Sequence, residues 1–358
     1  MKKIVAILLV IGMVLTFAAC KAKQTYEIAM VTDVGNIDDK SFNEGTWIGV
    51  KAYAEANNKT YSYFRPSEDT DDARIETIKT AIEKGAKVVV CPGYLFETAI
   101  YDVQKQYPNV QFLLLDGTPH TADYSTFETT SNTHCILYQE EQAGYFAGYA
   151  AVMDGYTKLG FLGGMSVPAV VRYGYGFVQG ANDAAAKLGN TADIEIKYWY
   201  SDTFAPNDDL KTKMSGWYTE GTEIVFACGG GIYLSAVAAA TEAGAKMIGV
   251  DVDQSAEAEL IVTSAMKELA ASVILSLTEL YANGGKWPAD YAGQTANLGA
   301  AEGCVGLPTA AGSWRFKTFT IEEYNKLFEA VKNGQVAISN ESDPDIHPDV
   351  PIFVDYQK

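Results

Sequence analysis

At 358 residues, with 48% hydrophobic and 20% charged side chains, the chain is long enough for two domains with real cores. Its formal net charge of -18 repels phosphate backbones, which argues against nucleic acid as a partner. Five cysteines without a CxxC spacing, and three histidines (His120, His134, His347) with no second ligand at helical or loop spacing, predict neither a metal site nor a cofactor.

The chain opens with a non-globular segment. Lys2 and Lys3 precede an apolar run over 4–17, followed by Ala18, Ala19 and Cys20. This reads as a secretory signal over 1–19, too short to be a comfortable spanning helix. Small residues before a cysteine resemble the lipobox of bacterial lipoproteins, with Phe17 where Leu is usual. The resemblance implies cleavage before Cys20, lipidation of Cys20, and a tether over 20–25; an ordinary signal with a coincidental cysteine is the alternative. Cys91 and Cys228 follow strand-like runs and read as buried free thiols.

From there strands and helices alternate. A strand over 26–32 ends at Asp33. A helix over 41–57 follows, with Ser41 as expected N-cap and Glu44 three residues later. Asp38, Asp39 and Lys40 read as a solvated cluster at its start. Next come a strand over 61–65, a helix over 71–84 stopped by Gly85, and a strand over 87–91. A helix over 94–107 stopped by Pro108 and a strand over 110–115 ending on Asp116 complete the run. The rhythm restarts with a helix over 139–153, a strand over 159–162 and a long helix over 167–188, with Pro168 in its first turn. A strand over 194–200, a helix over 208–220 and a strand over 223–227 lead into Gly229, Gly230 and Gly231. A helix over 235–243 and a strand over 246–250 ending on Asp251 follow. Helices over 268–282 and 321–333, with a strand-like stretch over 296–300 between them, precede an acidic tail.

Two such runs predict an α/β protein with two doubly wound parallel-sheet lobes and right-handed crossovers. The first lobe is expected over 26–135 plus about 254–295, the second over 136–253 plus about 296–358. Ligands of such sheets sit beyond the carboxyl ends of the strands. Asp33, Asp116, the glycine loop and Asp251 all occupy those ends, although each alone could be a turn residue.

At this point the residues resemble a known family. The stretch from Val31 through Asp33, Gly35, Asp38, Asp39, Lys40, Ser41 and Phe42 to Asn43 resembles the opening motif of the BMP (basic membrane protein) family of ABC-transporter substrate-binding lipoproteins. Glu141 to Gly148, Gly163 to Met165, Gly176 with Phe177, Gly249 to Asp251, Thr263 to Lys267 and Glu302 to Leu307 match in order. The resemblance implies a type I periplasmic-binding-protein fold with a hinge. Its partners would be a small solute, a purine nucleoside foremost, an ABC permease, and the membrane through a lipid anchor on the extracytoplasmic face. The protein would act as a monomer and would not be an enzyme. It also implies site residues: Phe42 and Phe204 as two aromatics around a base, with Trp199 as competitor for the second. Asp251 would hold ribose hydroxyls, Lys267 would add a polar contact, and Asp33, Asn43 and Asp116 would occupy other cleft positions.

The chemistry suits those residue types. A flat base gains from aromatic faces on both sides, and an ionised carboxylate accepts two adjacent hydroxyls by charge-assisted bonds. Lys267 would offset Asp251 in a closed cleft, and a glycine such as Gly230 would let backbone N–H groups approach the ligand. Each has a plainer alternative: Phe42 as core, Phe204 as loop packing, Lys267 as a surface lysine. Two other functions compete. One is a binding protein for a sugar or another small polar solute, such as an autoinducer-like furanose or an amide. The other is a nucleoside hydrolase-like enzyme, whose aspartate cluster the segment from Asp33 to Asp39 fits poorly, with Val31 where the first Asp belongs.

Overall fold

The computed structural model describes residues 25–33 and 35–358; the expected signal over 1–19, Cys20 and all but the last residue of the tether lie outside the described residues. The first half comprises β1 (Ile28–Val31), α1 (Phe42–Ala56), β2 (Tyr61–Phe64), α2 (Asp71–Glu83), β3 (Val88–Pro92), α3 (Glu97–Gln106), β4 (Gln111–Leu115) and β5 (Thr133–Tyr138). Then follow α4 (Glu140–Met153), β6 (Lys158–Gly163), α5 (Pro168–Leu188), β7 (Glu195–Tyr200), α6 (Asp208–Thr219), β8 (Ile224–Cys228), α7 (Tyr233–Ala243) and β9 (Lys246–Asp251). The last elements are β10 (Ile261–Lys267), α8 (Leu269–Ala282), β11 (Thr295–Leu298), β12 (Val305–Gly306), α9 (Ile321–Lys332) and β13 (Phe353–Tyr356).

Two sheets result, in the orders β11-β5-β4-β3-β1-β2 and β12-β10-β9-β8-β6-β7-β13. The ladders are parallel except between β10 and β12. The near-continuous apolar strands have a simple cause: both faces are covered, as parallel sheets require. Ile28 and Met30 face a large core shared with α1, while Ala29 and Val31 face a separate cluster under α2 and α3. In the second sheet Ile224 and Phe226 face the shared core, and Val225 and Ala227 face the cluster under α6 and α7.

Four strands, β5, β10, β12 and β13, went unpredicted, and they change the lobe boundaries. The expected break after 135 cuts through β5, which lies wholly in the first sheet. β10 lies in the second sheet although 254–295 is expected in the first lobe, and β11 lies in the first although 296–358 is expected in the second. The chain therefore crosses between sheets at Gln139, at Glu268 and over 299–304, and the crossings are bonded side by side. Gln139 N donates to Leu298 O at 2.9 Å, Glu268 N to Cys304 O at 2.9 Å, and Ala300 N to Gln142 Oε1 at 2.8 Å.

Helices α4 and α5 touch backbone to backbone. A Cβ at Gly144 or Gly148 would run into the carbonyls of Tyr173 and Phe177, and one at Gly176 or Gly180 into those of Glu141 and Tyr145. The glycine-bearing stretches that carry the family resemblance are thus also the seam of the second lobe.

Candidate functional site

One cavity of about 490 Å³ lies between the lobes, and Asp33, Phe42, Asn43, Asp116, Phe204, Gly230, Asp251 and Lys267 all line it. The first lobe brings Asp33 after β1, Phe42 and Asn43 in the first turn of α1, and Asp116 after β4; the second brings Phe204 after β7, Gly230 after β8, Asp251 ending β9 and Lys267 ending β10. Trp199 is absent from the lining; it packs with the cluster under α6, with Lys213 Nζ 5.3 Å from its ring centre.

Phe204 is placed by glycines. A Cβ at Gly164 would lie 2.5 Å from Phe204 Cδ1 and one at Gly229 2.9 Å from it, so the bare loop is what makes room for the ring. Gly231 N donates to Phe204 O at 2.9 Å. The glycine loop therefore builds a seat for an aromatic, where the sequence suggested backbone approach to a ligand.

The start of α1 also departs from expectation. Ser41 makes no side-chain cap; its hydroxyl donates across the cleft to Asp251 Oδ2 at 2.5 Å. The cap is Asp39, whose carboxylate accepts from the N–H groups of Ser41, Asn43 and Glu44 at 2.9–3.1 Å. Asp39 is thus no solvated charge: it lines the cavity, and burial pushes its carboxyl up to about 6 against those hydrogen bonds. Asn43 Nδ2 joins Asp33 Oδ1 (2.7 Å) to Asp39 Oδ2 (3.0 Å), and Asp33 Oδ1 also accepts from Gly35 N at 2.6 Å. Burial raises the Asp33 carboxyl as well.

Lys267 is the cation of the cleft floor, only 2% exposed. The sequence pairs it with Asp251; the structure pairs it first with Asp116 of the opposite lobe, then with Glu140 at 3.1 Å, and with Asp251 only at 4.0 Å. Its Nζ lies 4.7 Å from the Phe42 ring centre. Burial would lower the ammonium's pKa, but Asp116, Glu140 and Asp251 outweigh it and hold the group above the usual lysine range. Burial pushes Asp116 up to about 7 against the pull of Lys267, and it raises Asp251 against Lys267 and Ser41. Asp116 lines the cavity, and its Oδ1 is buried without a hydrogen-bond partner, an acceptor left unsatisfied at the site.

Glu140 and Arg172 are the residues that sequence reasoning missed. Arg172 Nε donates to Glu140 Oε2 at 2.6 Å, and Glu140 is fully buried. A signal was available: Glu140 opens a helix whose next thirteen residues are almost all apolar or small, and a carboxylate buried in such a setting needs a cation.

The comparisons with known proteins agree with this architecture. Residues 26–342 match the Bmp family, described as ABC transporter substrate-binding protein, PnrA-like. The chain belongs to the Bmp family. Among curated relatives, the CD4+ T-cell-stimulating antigen of Listeria monocytogenes is 28% identical over 247 residues, 65% of this chain and 65% of the antigen. Basic membrane protein A1 of Borrelia garinii subsp. bavariensis is 29% identical over 310 residues, 84% and 86% of the two chains. The ABC transporter nucleoside-binding protein BmpA of Lactococcus lactis subsp. cremoris is 27% identical over 217 residues, 59% of this chain and 57% of that protein. The chain thus spans less than two thirds of the Listeria and Lactococcus relatives. Among solved structures, an ABC-transporter solute-binding protein from Aeropyrum pernix superposes with a TM-score of 0.73 at 19% identity, covering 89% of this chain and 94% of that one. The Bmp-family chain thus has the type I periplasmic-binding-protein fold expected from its sequence.

Proposed function

We propose that this chain is the extracytoplasmic solute receptor of an ABC importer, and that it captures a purine nucleoside by closing two lobes around it. The observation that carries the reading is a cavity to which each lobe contributes at least one aromatic ring and at least one carboxylate: Phe42 with Asp33 and Asp116, Phe204 with Asp251. Its volume falls in the range of small-molecule sites. Two rings suit a flat base, Asp251 suits a ribose diol, and Asp116 suits an N–H donor. A nucleoside is also what the Lactococcus relative is named for binding. A ligand touching both lobes stabilises the closed form by its differential affinity for it, and a permease would read that form. Lipidation at Cys20 would hold the receptor at the membrane; among the described residues no helix is long and apolar enough to cross one.

Titration calorimetry of the mature protein with inosine, guanosine, adenosine, adenine and ribose tests the reading. Micromolar or tighter nucleoside binding, with compaction in solution scattering, is expected. Ribose binding as tightly as the nucleosides would move the assignment to a free sugar, and release of free base would move it to hydrolysis.

A further inference from the structure

Two of the three crossings between the lobes are flanked by opposite charges. Lys267 ends β10 just before the crossing at Glu268, and Glu140 opens α4 just after the crossing at Gln139. Lys267 Nζ and Glu140 Oε1 are 3.1 Å apart, and neither side chain is more than 2% exposed. The other Glu140 oxygen is taken by Arg172 on α5, whose backbone is locked against α4 by the glycine seam. Glu140 is outside the cavity lining, so it acts on a solute only through its neighbour. Burial opposes its charge, but Arg172 and Lys267 outweigh that and hold its pKa below the usual glutamate range.

We infer that Glu140, braced by Arg172, is a positioning residue that fixes the Lys267 ammonium at the hinge, where Asp116 of the opposite lobe docks on it as the cleft closes. This rests on the solute-capture reading above. The physical reason is the freedom of a lysine. Four methylenes let the ammonium swing, and Asp251 stands only 4.0 Å away in the same lobe as an alternative partner. A buried carboxylate held by Arg172 and 3.1 Å from Nζ selects the direction that meets Asp116. Without it the ammonium shifts toward Asp251, the contact with Asp116 weakens, and closure loses its cross-lobe ion pair.

The test reads the lysine and the ligand separately. In protein labelled with 15N-lysine, one slowly exchanging Nζ resonance is expected in the wild type and is removed by Lys267→Met. In Glu140→Gln that resonance should shift and lose protection, and inosine affinity should fall at least tenfold. Arg172→Gln, at a side chain 13% exposed, should move both in the same direction to a smaller extent. An unprotected wild-type resonance, or no change in either readout in both variants, overturns the inference. So does lost affinity with an unmoved resonance. If Glu140→Gln fails to fold, Arg172→Gln decides by the same readouts; failure of both to fold assigns the pair to fold stability and also overturns it. A wild type that binds no nucleoside defeats the proposed function, while the Nζ resonance still decides the positioning.

Discussion

Asp116, Asp202 and Asp251 all hold left-handed backbone, at φ of 58°, 55° and 64°, and all line the cavity. Aspartate tolerates this region better than most residues, yet each instance costs of order 1–3 kcal/mol and persists only where the surroundings enforce it. Their concentration at one cleft supports a functional surface. The rings dominate expected ligand energetics. Phe42→Ala and Phe204→Ala should each weaken inosine binding by about 1–3 kcal/mol, roughly 5- to 150-fold, by calorimetry. The two should differ in one respect. Phe204 also fills the space above Gly164 and Gly229, so its loss should lower the unliganded melting temperature as well. A Phe42→Ala variant with unchanged affinity would return that ring to the core.

At the scale of elements, the α4–α5 seam is the most demanding feature. Gly144→Ala would gain about 1 kcal/mol of helix propensity. It would also place a methyl against the Tyr173 carbonyl, which cannot move without parting two backbones in contact at four glycines. The clash wins, and a net loss of roughly 1–3 kcal/mol in denaturant unfolding is expected. Gly155, with open space around it but φ of 100°, is a poor control; Gly216, with open space and no such backbone, should accept Ala with little change. The start of α1 shows how a distant partner overrides a local capping pattern. Ser41 followed by Glu44 satisfies the local pattern, but the serine hydroxyl has a stronger acceptor in Asp251, 210 residues away. Asp39 then supplies the cap.

For the whole molecule, acid groups buried at or near the cleft set the response to pH. Burial raises Asp39 to about 6, and Asp116 and Glu141 to about 7. A folded-state pKa above the unfolded one means that the fold binds more protons across the interval. Stability is therefore full below about pH 4 for these groups and is lost as pH rises through 6 to 7. His134, lowered by burial, works the other way over part of that window, one group against these three and against Asp33 and Asp251, whose carboxyls burial also raises. The melting temperature of the unliganded protein should fall between pH 5 and pH 8, and Asp116→Asn should lessen the fall; a rising curve would contradict the assignment. Charge also sets selectivity. Seven aspartates and only two cations, Arg65 and Lys267, line the cavity. A nucleoside 5′-monophosphate should bind at least tenfold more weakly than its nucleoside, a difference of about 1.4 kcal/mol measurable by competition calorimetry.

What the sequence determined alone was whatever depends on neighbours along the chain. The alternation of apolar strands with capped helices, and the aspartates and glycines at strand ends, needed only local periodicity and turn chemistry, and they placed Asp33, Asp116, Gly230 and Asp251 where parallel sheets put ligands. The sheet membership of β5, β10 and β11, the partner of Ser41 and the pairing of Lys267 with Asp116 and Glu140 came only from the tertiary structure. These depend on which backbone lies beside which after three crossings, and on electrostatics between residues more than a hundred positions apart, which no window along the chain contains.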